Sequence, residues 1–357
     1  MSELIRVPSF SREESETARI LAQWLGDKSI MNLHRRGNNV WVSNLHFDPA
    51  KPTILLCSHH DTVRPSEAWT RDPFDPVIED GRLYGLGSND AGASVVSLST
   101  AFRHFYDRND LKYNLILALV AEEEISGPGG VRSILPELEL GIGNNPSTPD
   151  SARNGDFAIV GEPTGMNLAI AERGLMVLDC TAKGRAGHAA RDEGDNAIYR
   201  SLKDIEWFRD YRFPLKSPLF GEVKMSVTMI SAGVGHNVVP AECRFVVDCR
   251  VTECYTNEDV LDTVRQYVAC SVEPRSLHLR SSSIELDHPV VQAGIAVELN
   301  TFGSPTTSDQ VTLTAIPSVK IGPGQSARSH SADEYVELAE IERGIELYIK
   351  LLEKIVL

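Results

Sequence analysis

Five short segments of this chain hold side chains able to bind a metal ion or move a proton, and each comes just after a predicted strand. They are Ser58-His59-His60-Asp61-Thr62-Val63, Gly85-Leu-Gly-Ser-Asn-Asp90-Ala-Gly92, Ala121-Glu122-Glu123-Glu124, Gly161-Glu162-Pro163-Thr164 and Ser329-His330-Ser-Ala-Asp333-Glu334. Imidazole and carboxylate together favour zinc over magnesium or iron–sulfur chemistry. In an open parallel sheet, ligands collect beyond the carboxyl ends of the strands. Loops there converge in space while staying far apart in sequence.

Taken singly, each segment also has an ordinary reading. A histidine after a strand is commonly a surface or capping residue, Asp90 can cap the helix behind it, and a triplet of glutamates usually lies on a solvated helix face. The triplet here directly follows the buried run Leu115 to Ala121, which favours a site. Other chemistries are excluded. The Gly85-x-Gly-x-x-Asp90 pattern approaches a dinucleotide fingerprint, but the carboxylate sits where the third glycine belongs and would repel pyrophosphate. There is no Gly-x-Ser-x-Gly elbow and no phosphate-binding loop. Cys57 lies inside an apolar run and reads as packed core.

Something must position these side chains, and the chain is long enough to do so. Its 357 residues exceed one ordinary core and fit two domains. Apolar residues make up 42% and charged residues 24%, the balance of a soluble globular protein. The net charge of −15, with no compensating basic stretch, argues against nucleic acid and against an anionic membrane surface. No apolar run approaches the ~18 residues of a membrane span, and the start lacks the pattern of a signal peptide. Six cysteines are scattered without a Cys-x-x-Cys pair, which suits reduced thiols in a cytoplasmic protein.

The first part alternates helix and strand. Helical spacing covers Glu13 to Leu25, with Ser11 as its cap, and Gly92 to Tyr106. Continuous apolar runs at Pro52–Cys57, Tyr113–Ala121 and Asp156–Gly161 predict buried strands of a mainly parallel sheet. The stretch Gly141 to Asn154 reads as a surface loop. From Leu168 the rhythm changes to strand Leu175–Ala182, helix Asn196–Tyr211, strands Val223–Ile230 and Ala241–Val251, helix Asn257–Val268 and strand Leu277–Leu286. That β-α-β-β-α-β order is ferredoxin-like. The α/β pattern then resumes with a helix at Val290–Asn300, a strand at Ile316–Ile321 and a helix at Glu337–Val356. The expectation is an α/β fold: a discontinuous, mainly parallel catalytic domain over 1–167 and 287–357, with an inserted α+β module over 168–286.

The ordered set His-x-Asp, Gly-x-x-Asp, Glu-Glu, Gly-Glu-Pro-Thr and a late His within a Gly-Pro-Gly context resembles a known family over essentially the full length. It is similar to the aminoacylase-like metallopeptidases that include acetylornithine deacetylase, succinyl-diaminopimelate desuccinylase and carboxypeptidase G, and stands nearest the acetylornithine deacetylase branch. The resemblance implies a cytoplasmic homodimeric hydrolase holding two zinc ions per subunit, with cobalt able to substitute. It implies a small N-acyl amino acid as substrate, acetylornithine in arginine biosynthesis first, with succinyl-diaminopimelate, acetylcitrulline, other acylated amino acids or dipeptides as alternatives.

The resemblance also implies roles. Asp90 would bridge both metals. His59 and Glu162 would complete one, and Glu124 and His330 the other. Asp61 would orient His59, and Glu123 would be the catalytic base. His188, in Gly184-Arg-Ala-Gly-His188, would reach the oxyanion from the partner subunit, which makes the inserted module the dimerisation domain. Arg250 would hold a substrate carboxylate, and the Asn237 amide would face the substrate. Two ions sharing a carboxylate would bring a water's pKa toward ~7, and Glu123 could take its proton and pass it to the leaving amine. Neighbouring Glu123 and Glu124 would divide their tasks by pointing apart in extended chain. Two departures stand out. Glu122 replaces the usual aspartate, which permits a one-residue shift of base and ligand, although the spacing from the strand favours Glu123 and Glu124. Arg64 precedes a displaced Pro65 and adds a cation near the site.

Overall fold

A computed structural model describes residues 1–28, 30–138, 140 and 155–357. The surface loop expected over Gly141–Asn154 lies outside the described residues. The chain divides into two compact units. One comprises Met1–Ile170, Ser283–Phe302 and Ser308–Leu357, and the other Ala171–Ser282 and Gly303–Thr307. Among the described residues no helix is long and apolar enough to cross a membrane.

The first unit is built on a mixed, mainly parallel sheet. Its centre runs Asn114–Val120, Thr53–His59, Phe157–Gly161 and Ser318–Ile321, all parallel. Asn39–Ser43 is antiparallel to the first of these, and Leu168–Glu172 to the last. Every residue of the four central strands is buried, as expected for strands covered on both faces. Alternate side chains serve opposite cores. Ile54 and Leu56 face Leu98, Phe102, Tyr348 and Leu352 from helices Ala93–Phe105 and Leu338–Val356. Leu55 and Cys57 face Val131, Ile134, Leu313 and Ile316. Each such aliphatic or aromatic side chain contributes about 1.5–3 kcal/mol on burial. A small sheet of Val77–Glu79, Arg82–Tyr84 and Tyr335–Glu337 lies at the Asp90 end.

The second unit has an antiparallel sheet in the order Lys224–Ala232, Glu242–Val251, Gly174–Lys183, Ser271–Pro274. With helices Ala197–Asp210 and Asn257–Tyr267 between its strands, the order is ferredoxin-like. One face is buried: Met176, Leu178 and Cys180 alternate with half-exposed neighbours and pack on Phe208, Phe245 and Val260. The second helix starts on a capping box between Thr256 and Asp259.

Two expectations need correction. The fourth strand of this unit is Ser271–Pro274, and the segment 277–286 contributes only the two-residue strand Ser282–Ser283. Val272 is the buried residue of that short strand, so its apolar signal is weak, whereas Leu277, Leu279, Ile284 and Leu286 imitate a strand. Ser11 does not cap the first long helix, which spans Ser15–Asp27 with Glu14 at the cap position.

Candidate metal centre

The site lies at the carboxyl ends of the central parallel strands, and register explains the convergence. His59 is paired with Val120, and Gly161 with Ile321. His59 therefore stands level with the glutamates that follow Val120, while Glu162 is the first residue past its own strand. Just past strand Asn114–Val120, Glu122 takes a left-handed conformation (φ 55°). Glu123–Ile125 then form a short helical turn. The two glutamates are thus separated by a turn and not by strand alternation, which corrects the extended-chain expectation. Asp90 comes from the distorted turn Ser88–Gly92 that leads into helix Ala93–Phe105.

His59 is at the centre. Its Nδ1 lies 3.0 Å from the carbonyl oxygen of Asp61, which can only accept, so Nδ1 carries a proton. Nε2 then faces Asp90 Oδ1 at 3.2 Å, Glu162 Oε1 at 3.6 Å and Glu123 Oε2 at 3.9 Å. His330 Nε2 is 2.9 Å from Glu124 Oε2 and 3.8 Å from Asp90 Oδ2. His60 is engaged elsewhere, with Nε2 on the carbonyl of Asn38 at 3.0 Å and Nδ1 against Thr17. Burial holds its pKa below the ordinary value, so it stays neutral.

Four carboxylates (Asp90, Glu123, Glu124 and Glu162) thus crowd two imidazoles. Burial disfavours the His59 imidazolium, yet Glu123, Asp61, Asp90 and Glu162 together raise its pKa well above normal. The bond to Glu124 lifts His330 to about 9, against its partial burial. Burial also pushes the Glu123 carboxyl well up, opposed by His59 and reinforced by Glu162, Asp309 and Glu124. Such an excess of buried negative charge calls for cations.

The donors suit them. Among the described residues, His59, Glu123 and Glu162 form one group and His59, Asp90 and Glu124 another, with the ligand atoms of each within 4.8 Å of one another. Oxygen and imidazole donors at this spacing fit borderline divalent ions. Glu123 therefore stands within reach of an ion held by His59 and Glu162.

Around these groups stands a shell of buried acids. Asp61 Oδ1 accepts the N–H of Glu123 at 3.0 Å, and Oδ2 accepts the N–H of Glu124 at 3.2 Å and the Ser11 hydroxyl at 2.7 Å. Burial opposes the Asp61 charge, but these partners and His59 keep its carboxyl below the usual range. Glu14, fully buried, accepts the N–H of Glu122 at 3.2 Å and the Asn38 amide at 2.7 Å. Glu334 accepts the N–H groups of Gly87, Asn89 and Asp90 at 3.0, 2.8 and 2.9 Å. Its pKa is pushed up to about 8 by burial and then by Asp90. Sequence reasoning missed Ser11 and Glu14 as parts of the site, and placed Glu334 in a ligand-bearing segment without giving it a role of its own. Ser11 and Glu14 carry no such signal, being far in sequence from every ligand-bearing segment, whereas Glu334 lies four positions past His330. Arg64 stacks over Phe10 at 4.3 Å and donates to Glu13 at 2.8 Å, so its charge is engaged by the N-terminal segment.

The remaining sequence candidates lie in the second unit. His188 sits in a two-residue ladder opposite Val238, and the N–H of Ala189 donates to the Asn237 carbonyl at 3.0 Å. The structure therefore brings His188 and Asn237 together. The His188 side chain is exposed, its Nδ1 accepting from the N–H of Ala190 at 3.1 Å. Arg250 donates through Nε and Nη2 to Asp248 at 2.8 and 3.1 Å.

A mainly parallel sheet with such donors at its carboxyl edge defines a metal-dependent amidohydrolase. The chain belongs to peptidase family M20/M25/M40, which it matches over residues 55–354, and is a hydrolase of amide bonds. It is 24% identical to succinyl-diaminopimelate desuccinylase of Thioalkalivibrio sulfidiphilus, across 99% of this chain and 97% of that one. It is 28% identical to acetylornithine deacetylase of Proteus mirabilis, across 84% and 79%. A dinuclear metal-binding peptidase of the M20 family from Bacillus subtilis shares the fold with a TM-score of 0.69 and 15% identity, covering 98% of this chain and 95% of that one.

Proposed function

We propose that this protein removes the acyl group from the α-nitrogen of a small N-acyl amino acid, with N-acetylornithine in arginine biosynthesis as the leading substrate. The observation that carries the reading is the Asp90 carboxylate between two imidazoles, with Oδ1 3.2 Å from His59 Nε2 and Oδ2 3.8 Å from His330 Nε2. The related Bacillus subtilis peptidase is a dinuclear metal binder, which supports two ions here as well. Asp90, His59 and Glu162 would hold one, and Asp90, Glu124 and His330 the other. Two zinc ions, or cobalt in their place, would supply Lewis-acid polarisation of the amide oxygen and an acidified water.

The chain's own residues do the rest. Asp61 fixes the tautomer and orientation of His59. Glu123 takes a proton from the attacking water and delivers it to the departing amine. His188, from the partner of a homodimer formed through the inserted module, donates to the developing oxyanion. Arg250 and Asn237 bind the substrate's polar groups.

Desuccinylation of succinyl-diaminopimelate is the second reading, favoured by the near-complete length match to a desuccinylase. The two substrates differ by a carboxymethyl group on the acyl chain and by a second carboxylate on the amino acid, which pocket side chains discriminate. Purified, zinc-loaded enzyme should be assayed against acetylornithine, acetylcitrulline, succinylornithine and succinyl-diaminopimelate. A kcat/KM at least about tenfold higher for acetylornithine is expected. Preference for a succinyl substrate would replace the first reading with the second, and inactivity on all four would sink both.

A further inference from the structure

We infer that Glu334 is a positioning residue for metal binding, holding the turn that presents Asp90. The inference rests on the two-metal reading above. Three N–H groups of that turn point at one carboxylate: Gly87 at Oε2, and Asn89 and Asp90 at Oε1. Gly87 has φ 73°, the left-handed conformation that lets successive N–H groups converge on an anion. Glu334 is 2% exposed, so water does not compete for these bonds. Its main chain is fixed as well: its carbonyl accepts the N–H of Gly85 at 3.0 Å, and the next residue, Tyr335, pairs with Tyr84.

The same turn is tied from the other side. The Asn89 side chain exchanges two bonds with the backbone of Gln325, at 2.9 and 3.1 Å. Asp90 is thereby held between residues 325 and 334, with its carboxylate directed at His59 and His330. The carboxylate of Glu334 touches none of the proposed ligand atoms and so works through backbone. A glutamine would keep one oxygen for Asn89 and Asp90 but set an N–H₂ against the N–H of Gly87. An aspartate would be one methylene short of the array.

The test is metal affinity of the full chain, measured by competition with a chromophoric chelator using zinc, alongside the visible absorption of the cobalt form and circular dichroism. Glu334→Gln is expected to weaken loading by about 10–100-fold with unchanged helical signal, and to shift the cobalt spectrum. Glu334→Asp should weaken it in the same direction. Asp333→Ala, which removes the bonds to Thr70 and Arg71, should lower stability without moving metal affinity. Wild-type affinity and spectrum in a folded Glu334→Gln variant would overturn the inference. Unfolding of both Glu334 variants would overturn it too, by making the residue a general structural one. A wild-type chain that binds no divalent ion would defeat the two-metal reading itself, and this inference with it.

Discussion

Asp61 accepts the backbone N–H of Glu123 at 3.0 Å while its other oxygen takes the N–H of Glu124. One buried carboxylate therefore fixes the glutamate pair in the turn after the neighbouring strand, while the same residue's carbonyl holds His59 Nδ1 at 3.0 Å and its Oδ1 lies 3.4 Å from that nitrogen. Asp61→Asn would leave an amide N–H₂ facing peptide donors. Such a change should lower kcat by about 10–100-fold and weaken metal binding comparably. An unchanged metal affinity would confine Asp61 to a structural task.

Glu123→Gln tests the base. The variant should retain two metal ions per chain by elemental analysis and lose about 10²–10⁴-fold in kcat. Loss of one ion together with activity would instead assign Glu123 as a ligand, in line with the group it forms with His59 and Glu162.

Chelation should abolish activity and leave the fold intact. The first unit packs Leu98, Phe102, Tyr348 and Leu352 against its sheet without using any ligand, unlike a domain that folds around its metal. Circular dichroism before and after chelator is the measurement, followed by recovery with zinc or cobalt. Collapse of the helical signal would show that the metal is structural.

Subunit mixing tests His188. Inactive His188→Ala and Glu123→Ala chains, mixed under conditions of exchange, should regain up to about half the wild-type activity per heterodimer if sites are independent. Demonstrated exchange without recovery would place His188 in its own chain's chemistry or outside catalysis.

His288 gives a pH test away from the metal site. Its Nδ1 accepts the N–H of Val290 at the start of helix Pro289–Ala296. Burial lowers its pKa, with Asp287 opposing. The unfolded chain, with an ordinary value near ~6.5, therefore takes up a proton first as pH falls. The cap's contribution of about 0.5–1 kcal/mol is present above the unfolded pKa and lost as pH falls through the lower folded one. Urea unfolding should show the gap between wild type and His288→Ala shrinking from about pH 8 to about pH 5. His288→Asn, which caps without titrating, should show no such trend.

The helices and central strands were legible because their periodicity is strong. Thr53–His59 and Asn114–Val120 are unbroken apolar runs, and Leu338–Val356 repeats its buried positions at helical spacing. Short edge elements carry too few apolar residues to register, which is why Ser271–Pro274 escapes a reading by pattern. Among the site residues, His59, Asp90 and Glu162 stood out because each follows a strand or opens a helix. Glu14 did not, and Glu334 stood in a ligand-bearing segment with no role of its own, since a glutamate whose partners are peptide N–H groups looks in sequence like any solvated acid. The turn at Glu123 was hidden for a related reason: a positive φ at Glu122 has no signature in a non-glycine residue.

The order of the central sheet has a consequence for how the protein is made. Ser318–Ile321 pairs with Phe157–Gly161, yet the second unit is encoded between them. At ~5–20 residues per second, translation needs roughly 10–30 s to cover that interval. Throughout it the nascent chain offers the apolar edge of Phe157–Gly161 without its neighbour, an invitation to mispairing. His330 emerges later still. A ribosome-bound chain thus completes the smaller unit before the larger one can close, and chaperone demand should be concentrated in that window.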